Sequence, residues 1–303
     1  MDHSHDHHGP KSYGRAFAIG IVLNLTFVIV EFFYGKISHS LALVADAGHN
    51  LSDVLALALA WGASLLGRTR PTQARTYGMR RSSILASLIN AVVLLLVLGA
   101  ISWEAMQRFN EPSPVAGRTV MWVAALGIVI NGATALLFAS GRHGDLNVRG
   151  AFLHMAADAA VSLGVVITGA AILYTGWQWV DPAVSLVISA VIFFGTWDLL
   201  KHSVNLALDA VPEGIQLPSV EAYLLGLPNV VGVHDLHVWG MSTTEAALTA
   251  HLVMSIPSGN NELLREIEEG LHRKFGIEHA TVQLETGDRE SSCQCRLLSL
   301  RKA

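Results

Sequence analysis

The sequence is short of charge. Asp, Glu, Lys and Arg make up 15% of its 303 residues, against roughly 25% in an average soluble protein. The shortage is local. Residues 1–209 hold 13 Lys/Arg and 12 Asp/Glu, whereas the 94 residues that follow hold 7 and 12. The first stretch reads as membrane-embedded and nearly neutral, the second as a small acidic soluble domain. Basic excess is missing too: a net charge of −4 without a basic face excludes a nucleic-acid binder. Cysteine is almost absent, so there is no disulfide framework. The two that exist, Cys293 and Cys295, have a spacing that suits a reducing compartment or a metal. Neither HExxH nor GxSxG occurs, which argues against an intramembrane hydrolase. The N-terminal MDHSHDHHGPKSYGR is His- and Asp-rich and is followed by a full-length apolar run, unlike a cleavable signal peptide.

What is present is apolar length. A membrane helix needs about 20 mostly apolar residues, and six runs qualify: 16–35, 41–66, 82–106, 119–140, 150–175 and 182–203. Arginines set the orientation. Arg68, Arg70, Arg75, Arg80 and Arg81 follow the second run, Arg142 and Arg149 follow the fourth, and the other side holds only Lys36, Arg108 and Arg118. The positive-inside rule then puts both termini and the soluble domain in the cytoplasm. After Asp209 the order is a short helix at 219–226, strands in VVGVHDLHVWGM and EAALTAHLVM, an amphipathic helix in NNELLREIEEGLHRKFG and a strand in ATVQLE. This α-β-β-α-β order predicts a two-layer α+β domain. The fold class expected is an α-helical membrane protein of six transmembrane helices with a C-terminal cytoplasmic α+β domain.

The informative residues are ionisable groups inside the apolar runs. LVADAGHNLSDVLAL carries Asp46, His49 and Asp53, and AFLHMAADAAV carries His154 and Asp158. A mid-membrane Asp costs about 2.5–3.5 kcal/mol on insertion scales, so each must face a partner, water or an ion. His49 and Asp53 stand four apart and share a helix face, and His154 and Asp158 repeat that spacing. If the two helices face each other, two imidazoles and two carboxylates converge into a set able to close a tetrahedron around Zn²⁺. Histidine argues for a transition metal over magnesium or calcium. The plainer alternative is a pair of buried His–Asp hydrogen bonds holding helices together. Asp46 lies on the same stripe, as a structural group or one that tunes its neighbours. Asn24, Asn90 and Asn131 read as helix–helix hydrogen-bonding groups, and Glu31 as a solvated residue near the interface.

SLALVADAGHNLSDVLAL, YGMRRSSILASLINA, NVRGAFLHMAADAAVSLGVV, DPAVSLVISAVIF and VHDLHVW together resemble the cation diffusion facilitator family. The nearest branch resembled is the bacterial zinc/cadmium/cobalt efflux proteins, close also to animal vesicular zinc transporters. The resemblance covers nearly the whole chain in order. It implies six membrane helices, a cytoplasmic metallochaperone-like (ferredoxin-like) α+β domain, a homodimer in the cell inner membrane, and exchange of cytosolic Zn²⁺ for protons, with Cd²⁺ and Co²⁺ as secondary substrates. Domain bounds follow as a His-rich arm at 1–14, a transmembrane domain at 15–205, the cytoplasmic domain at 206–290 and a Cys-containing tail at 291–303.

The resemblance places the transport site on His49, Asp53, His154 and Asp158, the set that the spacing also brings together. It implies an Arg81–Asp209 interlock near the cytoplasmic face, and a second zinc site, with a regulatory role, on His234, His251 and Glu285, with Cys293 and Cys295 as tail ligands. His237 points away from His234 along an extended strand unless the strand bulges. The loop at 67–81 holds neither His nor Asp, so the additional site that some members carry there is expected to be missing. His3, His5, His7 and His8 read as a metal-collecting arm. Zinc binds deprotonated ligands, so a His/Asp site can swap metal for protons. A membrane metal sensor without transport, an intramembrane metal-dependent hydrolase and a passive channel are the rival classes.

Overall fold

The computed structural model describes residues 13–67, 71–139, 146–256 and 261–286. Six long helices come first: α1 (Tyr13–Ile37), α2 (Leu41–Gly67), α3 (Ser82–Asn110), α4 (Gly117–Ala139), α5 (Leu146–Thr175) and α6 (Val180–Ala207). Each falls on one of the six apolar runs. Over their described residues, four are long and apolar enough to cross a membrane: Ser82–Asn110, Gly117–Leu136, Phe152–Thr175 and Val180–Ala207. Then come α7 (Leu217–Leu225), β1 (Val230–Gly240), β2 (Ala246–Met254), α8 (Asn261–Phe275) and β3 (Ile277–Thr286), in the expected α-β-β-α-β order. The chain divides into two compact units. One combines residues up to Leu59 with Ile89–Leu199, and the other combines Ala60–Leu88 with Leu200 onward.

In the first unit Leu43, Leu94, Val120, Val165 and Ile188 share a buried core. Large apolar side chains such as Phe194, Leu136 and Leu96 stay exposed, a surface suited to lipid. Helices α4 and α5 approach closely because glycine faces backbone at their crossing. A Cβ on Gly117 would stand 2.6 Å from the Gly169 carbonyl oxygen, and one on Gly169 would stand 2.7 Å from the Met121 nitrogen. Such contacts bring membrane helices together where no hydrophobic force between them exists.

Two expectations about polar residues in this unit need correction. Glu31 is not solvated. It has no exposed surface and accepts a hydrogen bond from the Asn50 amide at 3.3 Å. Helix α1 runs on to Ile37, so Glu31 lies about a turn and a half inside its end and meets α2 instead of water. Asn90 behaves as expected, donating from α3 to the Ser52 hydroxyl on α2 at 3.2 Å. Asn24 reaches from α1 to the Met155 sulfur at 3.7 Å. Asn131 does not: it is fully buried, and neither of its amide atoms has a hydrogen-bond partner among the described residues.

The start of α2 is held from another helix. The chain turns at His39, whose φ is 55°, and Ser40 precedes the first helical residue. Asp181, in the first turn of α6, is fully buried there. It accepts from the Ser40 hydroxyl at 2.5 Å, the Leu41 N–H at 2.8 Å and the Ala42 N–H at 3.4 Å. Ser40 in turn accepts the Leu43 N–H at 3.2 Å. A carboxylate here satisfies amides that α2 cannot bond internally and complements its dipole. It fixes the helix that carries His49 and Asp53.

In the second unit α7 and α8 share a core with the three-stranded sheet through Val220, Leu224, Leu248, Leu252, Ile267 and Ile277. The sheet order is β1-β2-β3, with β1–β2 antiparallel and β2–β3 parallel. Along β2, Leu248, Ala250 and Leu252 are buried, while Thr249 and His251 between them are partly exposed. The alternation is that of a strand with one face on the core. Helix α8 begins with Glu262 and ends with His272, Arg273 and Lys274, charges that oppose its dipole. Gly276, at φ 66°, ends it in the left-handed conformation that glycine adopts without cost.

Replacing Asp181 by Ala should destabilise the full chain by about 1–3 kcal/mol, the range for leaving buried donors without an acceptor. Thermal unfolding in detergent reads this directly. An unchanged midpoint would show that α2 is anchored elsewhere.

Candidate metal sites

The i, i+4 spacing on α2 puts His49 and Asp53 on one helix face, and the same spacing on α5 does so for His154 and Asp158. The two faces meet. His49 Nε2 lies 3.3 Å from Asp158 Oδ1 and 3.8 Å from Asp53 Oδ2. His154 Nε2 lies 3.2 Å from Asp53 Oδ2 and 3.7 Å from Asp158 Oδ2. Each imidazole therefore faces both carboxylates, and the ring centroids are 6.1 Å apart. His49, Asp53 and Asp158 offer ligand atoms within 4.8 Å of one another, and His154 closes the group from α5. Asp158 is 1% exposed. Asp53 Oδ2 and Asp158 Oδ2 are buried, and no hydroxyl or amide among the described residues donates to them; their polar neighbours are the imidazoles at 3.2–3.8 Å, a setting that suits a cation. A cavity of about 430 Å³ reaches His49 and Asp53 and is lined also by Ser52, Leu94, Gly164 and Thr196.

Asp46 is not among these four. It is fully buried and accepts from Ser162 on α5 at 3.1 Å, which adds a second polar link between α2 and α5. Sequence reasoning missed Glu31 and Asp181 as buried acids. The signal for Glu31 was an acid inside an apolar run, discounted because it stands near the run's end. For Asp181 it was Asp before Pro at the start of an apolar run.

The second group sits on the sheet. His234 on β1 is directly opposite His251 on β2, and β3 brings Glu285 beside them. Glu285 Oε2 is 3.0 Å from His234 Nε2, and its Oε1 is 2.9 Å from His251 Nδ1. The three offer ligand atoms within 4.8 Å of one another, and the imidazole centroids are 5.0 Å apart. Partial desolvation pushes the Glu285 carboxyl up, but the hydrogen bonds from His234 and His251 outweigh it and hold the carboxyl below its ordinary range. Two imidazoles with one carboxylate suit Zn²⁺. Strand β1 does bulge between His234 and His237. His237 nevertheless bonds Asp235, at 3.0 Å, and stays outside the trio.

Arg81 and Asp209 are paired at 2.5 Å, with both side chains more than half exposed. Neighbouring contacts tie the β1–β2 turn to the chain around the start of α3: Arg80, just before the helix, to Glu245 at 3.0 Å, and the Thr243 N–H to the Ser83 hydroxyl at 3.1 Å. His3, His5, His7, His8, Cys293 and Cys295 lie outside the described residues.

Comparison with known proteins fits this geometry. The "Cation efflux transmembrane domain" matches residues 17–206, and the "Cation efflux protein, cytoplasmic domain" matches residues 212–287. The chain is 38% identical to the metal cation efflux system protein CzcD of Cupriavidus metallidurans, over 93% of this chain and 89% of that protein. It is 36% identical to the zinc transporter ZitB of Pectobacterium atrosepticum, over 94% and 89%. It is 32% identical to a cadmium, cobalt and zinc/H(+)-K(+) antiporter of Bacillus subtilis, over 94% and 92%. These relatives are transporters, not enzymes.

Metal binding at either group must displace protons from imidazole or carboxyl groups. Zn²⁺ added to the full chain in weak buffer should therefore acidify it. His49→Ala and His251→Ala should each reduce the protons released per chain. Release that neither substitution changes would remove both groups as metal sites.

Proposed function

The chain belongs to the cation efflux family, and from that premise we propose that it is a proton-coupled antiporter. It carries Zn²⁺, with Cd²⁺ and Co²⁺ as further substrates, out of the cytoplasm across a bacterial inner membrane. The observation that carries this reading is the convergence of two imidazoles and two carboxylates from α2 and α5 within 3.2–3.8 Å, inside helices whose outer faces are apolar. His49, Asp53, His154 and Asp158 are the transport ligands. Four protein ligands fill a tetrahedron and leave no position for a reactive water, which favours carriage over hydrolysis.

The chemistry of the exchange follows from the ligands. An imidazole offers zinc the same lone pair that it offers a proton, and a carboxylate oxygen behaves likewise. Zinc arriving from the cytoplasm displaces protons from the four side chains. Protons arriving from the other side displace zinc. Alternate exposure of one midplane site, by rocking of helices around it, turns the proton gradient into metal export. The cavity of about 430 Å³ at His49 and Asp53 supplies a route by which ion and water reach the ligands.

On this reading all six helices span the membrane, both termini are cytoplasmic, and the arm at 1–14, spans at 15–205, domain at 206–290 and tail at 291–303 are distinct parts. Asp46 tunes the site from the next turn of α2. The cytoplasmic domain joins two chains into a homodimer. His234, His251 and Glu285 would hold a regulatory Zn²⁺ there, with Cys293 and Cys295 as tail ligands, and the ion would cross-link the three strands. Arg81 and Asp209 interlock the ends of α3 and α6. His3, His5, His7 and His8 collect metal for the pathway.

Zinc flux into proteoliposomes with an imposed pH gradient tests the proposal. Flux should require the gradient, and Asp53→Ala and Asp158→Ala should each abolish it while the protein still elutes as a folded dimer. Full flux in either variant overturns the ligand assignment, and flux indifferent to the gradient overturns the coupling.

A further inference from the structure

Strand β1 is irregular where it carries His234. From His234 to His237 it advances three residues while its partner strand moves back two, from His251 to Thr249. The extra residue is taken up at Asp235, whose φ of 51° lies in the left-handed region. A residue with a Cβ is rarely found there without a local reason. The bulge brings His237 to the same sheet face as His234, because Thr249 and His251 stand two apart on one strand. The Asp235 carboxylate stands between the imidazoles of His237 and His251. Its Oδ1 is 3.0 Å from His237 Nε2, and its Oδ2 is 3.7 Å from His251 Nε2.

His251 therefore has a carboxylate at each ring nitrogen. Nδ1 faces Glu285 at 2.9 Å, on the side where His234 Nε2 also converges. Nε2 faces Asp235. A neutral imidazole that gives Nδ1 to a metal carries its proton on Nε2. A carboxylate that takes this hydrogen bond fixes the tautomer, orients the ring and makes the ligand nitrogen more basic.

We propose that Asp235 is the positioning residue of the sheet metal site: held by the bulge with Oδ2 3.7 Å from His251 Nε2, just beyond hydrogen-bond length, it closes to accept the Nε2–H when a divalent transition-metal ion takes Nδ1 beside His234 and Glu285, while His237 braces its other oxygen. This rests on the reading of His234, His251 and Glu285 as a metal site. It gives the left-handed backbone at Asp235 a use, since a regular strand would put residue 235 on the opposite face from His234.

The backbone and the carboxylate can be separated. Glycine adopts the left-handed conformation without strain, so Asp235→Gly keeps the bulge and removes only the side chain. Asn keeps an acceptor oxygen for Nε2–H. The experiment uses the full chain in detergent with Asp53→Ala and Asp158→Ala, so that the membrane ligands are silent, and measures Zn²⁺ affinity by competition with a chelating dye. His251→Ala should abolish binding at the sheet. Asp235→Gly should weaken it about 10–100-fold, the usual effect of losing a ligand's outer carboxylate, with the metal-free thermal midpoint held or raised. Asp235→Asn should restore most of the loss. An Asp235→Gly affinity within about threefold of the parent, below that range, or an Asn variant no better than the Gly one, overturns the role of Asp235. Unchanged binding in His251→Ala overturns the three-residue site itself.

Discussion

A carboxylate buried among apolar helices must be matched by hydrogen-bond donors or by positive charge, and the membrane unit is arranged around that requirement. Asp53 and Asp158 each keep a buried oxygen that no hydroxyl or amide among the described residues reaches, at an insertion cost of about 2.5–3.5 kcal/mol apiece. Hydrogen bonds from neighbouring helices could have met this need, as Ser162 does for Asp46 and Asn50 for Glu31. At Asp53 and Asp158 the neighbours are imidazoles instead, groups that accept a proton or a metal ion with the same lone pair. The arrangement is therefore neutral only when something mobile is bound. That is the property the proposed carrier role requires.

Because the ligands are split between two helices, the site exists only while α2 and α5 keep their relation. The structure fixes both. Asp181 caps α2 from the start of α6, and α5 is drawn against α4 through Gly117 and Gly169. The Ser162–Asp46 bond adds a polar tie between the ligand helices themselves. All three devices use small or short side chains, which allow backbones to close to a distance where four ligand atoms can share one ion.

Much of this was legible in the sequence because periodicity carries it. Apolar length marked the helices, and the order after Asp209 gave the α-β-β-α-β layout. The i, i+4 spacing picked out the four side chains that the fold brings together. What was not legible depends on where helices end and which neighbours they meet. Glu31 seemed solvated because its distance from the end of the apolar run said nothing of α2 beside it. Asn131 is the residue type of an interhelical glue group, but its amide has no hydrogen-bond partner among the described residues. Asp181 gave no sign of its role, since a cap supplied across helices leaves no pattern in the chain that supplies it. For His237, alternation is the right rule for a regular strand. The bulge at Asp235 changes its face, and no residue pattern marks an Asp that will sit at positive φ.

The two metal groups differ in the way their proposed tasks require. The membrane set offers two nitrogens and two oxygens, enough to replace the whole water shell of a tetrahedral ion, which an ion crossing an apolar region must shed. The sheet set offers two nitrogens and one carboxylate from partly buried side chains, so a fourth position remains for water or a tail ligand. A site that keeps a water exchanges with the surrounding pool without moving a helix, which suits sampling of the cytoplasmic metal level. A site that strips the ion completely can release it only if protons compete or the ligands part. The ligand count thus supports the proposed division of carriage at the helices and sensing at the sheet, and imidazole in both favours a transition metal over magnesium and calcium.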